Sequence, residues 1–457
     1  MTTTRRSFLK QSAGFGAIIA TPSLWTGSVR AGDANSQKTV ASIGVGGSRG
    51  RYNRGGSIAR NASKLGRMIA VCDVDDKHSY EFNSEFGGGL NMYRDYRVMF
   101  EQERPDIVTI GTPDHWHIPI AIAALRNGAD VYCEKPLTLT IDEGIQVRKV
   151  VEETGRVFQV GTQQRSENES KFLKAIAIVQ SGRLGKNVNA HVAIGGAPAE
   201  GPFETFEPPA DLAWDMWVGP APVAPYCEER RKMFRWFFEY SGGKMTDWGA
   251  HHIDIAQWAL GFDHSGPVKA SAEGKFTPLV PDNLDWDAFL DGEIPLPNGF
   301  NTATEFKISL EFENGSVMTV NHHFKRDEDG TEFDNGILFE GDDGRIFVNR
   351  GKLTGKPIDD LTEADNAEIE ERIVELYKGH EPGDHMRNFF ESVDSREQPI
   401  SDVVTHHRTM TSCHMCNIAL MLGRELNWDP QQETFIGDDQ AVALMSRKSR
   451  EGYVAYA

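Results

Sequence analysis

From Thr39 onward, short apolar runs rich in β-branched residues recur at 40–45, 68–72, 107–111, 130–133 and 157–160, with helical periodicity between them, as over 141–153. Strands separated by helices in this rhythm fold as a doubly wound parallel sheet, because each parallel pairing needs a crossover and a helix supplies it. The block ends near Gly161. A polar stretch at 32–38 precedes it as a linker.

The remainder reads differently. Runs at 189–194, 305–312, 317–322, 336–340 and 345–348 alternate apolar and polar residues, and Asn314-Gly315 and the 341–344 stretch sit between them as hairpin turns. They predict an open, mainly antiparallel sheet with one covered face. Helices over 247–260 and 402–424 supply the cover. The expected fold is therefore α/β, with a Rossmann domain at 39–161 and an α/β substrate-binding domain at 162–457. A chain of 457 residues is long enough for both.

Residues 1–31 read as a targeting segment. Thr4-Arg5-Arg6-Ser7-Phe8-Leu9-Lys10 is a twin-arginine pattern, followed by a short apolar stretch at 13–20 and a small-x-small site at Val29-Arg30-Ala31. The expected location is the periplasm or the exterior, reached by twin-arginine export. That route carries folded proteins and suits a cofactor loaded in the cytoplasm. No cysteine lies near the cut, so no lipid anchor is expected. No later apolar run is long enough to span a bilayer. The net charge of −19 argues against nucleic acid and anionic membrane surfaces as partners. The five cysteines form no disulfide-scaffold pattern, and Cys413 and Cys416, three apart in a helical run, are read as helix packing.

Three groups of residues carry chemistry. Gly44, Gly46, Gly47 and Gly50 follow the first strand and precede a helix, where glycines let the backbone approach a pyrophosphate at a helix N-terminus. The spacing is irregular: Arg49 stands where a third glycine is usual and Gly50 comes one later. Asp73 ends the second strand, where a carboxylate accepts ribose hydroxyls and repels a 2′-phosphate, favouring NAD over NADP. Arg49, Arg51 and Arg54 pull toward NADP if they pair a phosphate, and are solvated loop charges if they do not. Next, Glu134-Lys135-Pro136 closes a strand, and an ammonium there can polarise a substrate oxygen. Lastly, Asp247 and His251 are four apart on one helical face, a spacing at which the carboxylate orients the imidazole as a general base. A metal bound by His251, His252 and Asp254 is disfavoured, because adjacent histidines on a helix diverge by about 100°; no metal is expected.

With these motifs, Thr112-Pro113-Asp114-His115-Trp116-His117, Gly161-Thr162-Gln163, the Trp214 to Pro220 stretch and the tail from His407 to Asp429, the chain resembles the glucose–fructose oxidoreductase / inositol dehydrogenase (Gfo/Idh/MocA) family, in an exported bacterial subgroup. The resemblance implies catalytic roles for Lys135, Asp247 and His251. It also implies cofactor contacts from Thr112, Pro113, Glu134, Lys135 and Pro136, with His117 near the nicotinamide. Gln163, Arg165, Trp248 and His252 are expected to hold the substrate. The expected reaction is hydride transfer between a sugar, polyol or glycoside alcohol and a tightly bound NAD, with NADP as the other possibility and homo-oligomers common in such proteins. Transient oxidation leading to glycoside cleavage is the alternative. A non-catalytic sugar or nucleotide sensor is disfavoured by the complete Lys135, Asp247 and His251 set.

Overall fold

The computed structural model describes residues 37–51 and 53–453. The export pattern at 1–31 lies outside the described residues. Strands β1 (Thr39–Ile43), β2 (Arg67–Cys72), β3 (Asn91–Tyr93), β4 (Ile107–Ile110), β5 (Asp130–Cys133) and β6 (Phe158–Val160) form one parallel sheet in the order β3-β2-β1-β4-β5-β6. Side chains of β4, β5 and β6 are buried throughout, because helices cover both faces. Strand β3 escaped the sequence reading. It is three residues long, polar and exposed at its start, so no apolar run marks it.

The order reverses between β1 and β4. Ligands of such sheets bind in the crevice at the carboxyl ends of the strands, where this reversal opens. Gly44, Asp73, Gly111 and Glu134 all lie just beyond strand ends there.

The second sheet has nine strands. To β7 (Asn189–Ala193), β8 (Lys269–Lys275), β9 (Glu305–Glu311) and β10 (Val317–Asn321) the chain adds a separate ribbon of β11 (Phe324–Arg326) and β12 (Thr331–Phe333). Then follow β13 (Gly336–Gly341), β14 (Gly344–Val348), β15 (Leu353–Thr354), β16 (Leu426–Asp429) and β17 (Thr434–Phe435), and the sheet order is β15-β14-β13-β7-β10-β9-β8-β16-β17. All its pairings are antiparallel except β7 with β10. The Asn314-Gly315 turn joins β9 to β10, with Gly315 at φ +85° as such a turn requires.

Helices Gly249–Ala259 and Val403–Leu422 pack on this sheet. The second is buried along nearly its whole length because it also packs against helix Ile141–Thr154 of the parallel-sheet domain. That double contact accounts for its cysteines. Cys413 and Cys416 are fully buried and unbridged, and burial pushes both thiols up, away from reactive thiolate. Among the described residues no helix is long and apolar enough to cross a membrane.

Candidate functional site

The crevice at the strand ends opens into a cavity of about 620 Å³, within the size range of ligand pockets. One end is built by the glycine loop. Gly44 and Gly46 sit at φ +73° and +62°, turns that a side chain would strain. A Cβ on Gly44 would stand 2.6 Å from the Thr112 side chain. The irregular spacing of the loop finds its explanation further along. Helix Arg54–Ser63 opens on Gly55, where a Cβ would lie 1.8 Å from the Gly44 carbonyl oxygen and 3.1 Å from that of Gly111. Gly55, not Gly50, is therefore the glycine that brings the helix against the strands. The signal was present in the Gly55-Gly56 pair at the helix start, masked by a loop longer than usual. The bare backbone and the open helix start form a cradle that fits a pyrophosphate.

Asp73 lines the same end. Its carboxylate accepts from the backbone N–H groups of Gly46 (3.1 Å) and Asp75 (3.0 Å), which fix it facing the cavity with room to take ribose hydroxyls. Gly47 is not among the residues that line the cavity, and a Cβ there would meet Glu81 and His78. The loop arginines are engaged. Arg49 forks onto Asp211 at 2.6 and 2.9 Å and reaches Asp75 at 3.3 Å, Arg51 donates to the Met233 sulfur, and Arg54 donates to Glu134 at 2.9 Å. The solvated-charge reading fails for Arg49: protein carboxylates hold it.

Thr112, Pro113, Glu134 and Lys135 line the middle. His117 does not. Its ring bridges the carbonyl oxygens of Pro136 (2.6 Å) and Thr112 (3.0 Å), so it ties the loops after β4 and β5 together from behind. Gln163 lines the wall and donates to Glu134 at 3.0 Å.

Lys135, Asp247 and His251 meet at the other end. Their pairing differs from the expectation. Asp247 Oδ1 accepts from Lys135 Nζ at 2.5 Å and from Arg235 Nε at 3.2 Å, and no hydrogen bond joins it to His251. Asp247 closes the helix Gly243–Asp247 while His251 belongs to Gly249–Ala259, and two cations outbid a neutral imidazole for the carboxylate. Burial would raise the Asp247 carboxyl, but Lys135 and Arg235 hold it well below the usual range. Burial first, and then the charge of Lys135, push His251 well below the ordinary imidazole range, so it stands neutral. Its Nδ1 is buried without a hydrogen-bond partner.

Two expected substrate contacts sit behind the wall. Arg165 is buried in a fork to Asp254 (2.7 and 2.6 Å) and lies over Trp258. His252 is buried between Gln164 (3.3 Å) and Asn335 (3.1 Å). Asp254 is committed to Arg165 and His252 to these amides, so two of the three residues weighed as a metal site are engaged elsewhere. Trp248 does line the cavity, and it brings in a residue the sequence reading missed: Arg350 stacks over its ring at 4.7 Å. Arg350 lies in the turn between β14 and β15, far along the chain and in no motif.

Comparison with known proteins bears on the family and the fold. Residues 38–162 match the model of an oxidoreductase family's NAD-binding Rossmann fold, and residues 200–277 with 329–455 match that family's C-terminal alpha/beta domain. D-glucoside 3-dehydrogenase of Escherichia coli is 23% identical over 386 residues, covering 76% of this chain and 97% of that protein. Inositol 2-dehydrogenase of Salmonella typhimurium is 27% identical over 125 residues, 27% of this chain and 37% of that protein. In fold, the WlbA dehydrogenase of Bordetella pertussis, solved with NADH and UDP-GlcNAcA, superposes with a TM-score of 0.59 at 15% identity, over 86% of this chain and 98% of that one. Myo-inositol 2-dehydrogenase of Lactobacillus plantarum gives 0.55 at 18% identity, over 86% and 99%. Two family models that match the whole parallel sheet and six of the nine strands of the second, and a cavity built where that fold binds its nucleotide, lead to one statement: the chain belongs to the Gfo/Idh/MocA family of NAD-binding oxidoreductases.

Proposed function

We propose that this protein moves hydride between a secondary alcohol of a sugar, polyol or glycoside and a tightly held NAD, and that it does so outside the cytoplasm. The observation that carries the reading is the meeting of Lys135 and the neutral His251 in the cavity that the glycine loop and Asp73 also line. Bound nicotinamide supplies the hydride acceptor, or the donor in reverse.

The chain's own residues do the rest. His251 takes the hydroxyl proton, which its neutral state allows. Lys135 directs its ammonium at the alcohol oxygen and stabilises the negative charge that grows there. Asp247 positions Lys135, through both its carboxylate and its backbone oxygen (3.0 Å), rather than His251. Asp73 favours NAD, since a 2′-phosphate would meet its carboxylate. The named relatives are dehydrogenases, which favours a stable keto product over glycoside cleavage. Export rests on the Arg5-Arg6 pattern and its apolar stretch. A folded export route makes sense of a cofactor that stays bound, because free nicotinamide is scarce outside the cell.

The test is a panel of sugars and polyols scored by the ultraviolet absorbance of reduced nicotinamide, run beside Lys135→Ala and His251→Ala. Each variant is expected to lose at least about a hundredfold in turnover while retaining NAD, the scale typical of acid–base groups. Near-normal turnover in either variant removes that residue from the mechanism.

A further inference from the structure

The protein carries a net charge of −19, yet the reacting end of its cavity is positive. Four cations, Lys135, Arg235, Lys244 and Arg350, gather around one carboxylate, Asp247. Lys135 and Arg235 bond to it directly. Lys244 and Arg350 pair with no carboxylate among the described residues. Five other acids line the cavity: Asp73 and Asp75 at the glycine-loop end, Asp114, which accepts from the Ser241 hydroxyl, and Glu134 and Glu167. Glu134 is taken by Arg54, and Glu167 lies near enough for Arg350 to feel its charge but forms no ion pair with it.

Both unpaired cations are held in place. Lys244 sits 5.6 Å over the Trp236 ring, and partial burial lowers its pKa against the opposing pull of Asp247. Arg350 is stacked on Trp248 and donates to Gln164 Oε1 at 3.1 Å, Gln164 in turn contacts His252, and His252 contacts Asn335. That chain of amides and imidazole orients the guanidinium and brings no counter-charge. Partly desolvated cations fixed beside an empty-handed wall are costly unless a ligand pairs them. The alkoxide of hydride transfer is transient and has Lys135. A pyrophosphate belongs to the glycine loop at the opposite end. Neither accounts for Lys244 and Arg350.

We propose that the substrate carries a fixed negative charge, as a sugar carboxylate, sulfate ester or phosphate ester, bound by Lys244 and Arg350 beside His251. This deepens the hydride-transfer reading and rests on it for the presence of a sugar at that end.

The experiment compares glucose with glucuronate, glucose 6-sulfate and glucose 6-phosphate on the NAD-loaded protein. Binding is read from tryptophan fluorescence and turnover from nicotinamide reduction. At least one anion is expected to bind about tenfold or more tightly than glucose, with affinity that falls as salt rises. Which anion wins identifies the charged group. Lys244→Gln and Arg350→Gln should each raise KM for that anion about tenfold or more with a much smaller change in kcat, as loss of a charge-assisted hydrogen bond predicts. A drop confined to kcat assigns the two cations to the alkoxide and overturns the proposal. So does binding with no preference for any anion over glucose, including binding of none of the four. If an anion binds in a Lys244-dependent way yet is never oxidised, the anion site stands and the hydride-transfer reading falls.

Discussion

Replacing Gly55 by alanine should lift the first turn of the Arg54–Ser63 helix off the parallel sheet. The added Cβ would meet the Gly44 oxygen at 1.8 Å and the Gly111 oxygen at 3.1 Å, both backbone atoms of segments pinned in the sheet. Ordinary contacts of a methyl carbon lie near about 3.5 Å, so the helix start must retreat by more than an ångström. Overpacking of this kind costs about 1–3 kcal/mol and sometimes more. Alanine regains up to about 1 kcal/mol through helix propensity. A net loss of about 1–2 kcal/mol is expected. The loss of function should be larger in proportion, because the same retreat moves the helix N-terminus away from the pyrophosphate cradle. Chemical denaturation and calorimetric titration of NAD into protein first stripped of its bound cofactor read the two effects separately. Gly89→Ala serves as control, since its Cβ meets nothing nearer than the Phe86 oxygen at 3.8 Å. A Gly55→Ala protein with the control's denaturation midpoint and full NAD affinity would refute the close-packing assignment.

Other outcomes follow from the same geometry. Asp73→Ala should raise affinity for NADP relative to NAD; a natural protein that already prefers NADP would move cofactor selection away from Asp73. Protein purified without added cofactor should carry about one NAD per chain through prolonged dialysis, and recovery of cofactor-free protein that turns over only with added NAD would contradict retention. Burial lowers the pKa of His115 to about 3 and of His252 and His385 to about 4. Their folded values lie below the unfolded value of about 6.5, so the unfolded chain binds protons first and stability is lost as pH falls from about 6.5 toward 4. Thermal melts across that window should drop steadily, and a flat profile from neutral pH to pH 5 would show that these rings are not held neutral.

Much of this protein was legible in its sequence because strand runs, glycine loops and short motifs are local. The parallel block and the hairpin at Asn314-Gly315 come from residues whose neighbours along the chain set their geometry, while the resemblance to a family implied that Lys135, Asp247 and His251 share one site. Strand β3 was hidden because an exposed polar edge strand of three residues has no apolar period to show. What required the tertiary structure was pairing. Asp247 went to Lys135, 112 positions away, because charges brought together by folding outcompete a helical neighbour. Arg165 and His252, close to the motifs in sequence, turned inward to Asp254 and Asn335. Arg350 arrived at the cavity from a turn in the second sheet. Sequence spacing fixes which side chains share a face. Only the packed fold decides which opposite charge reaches each of them first.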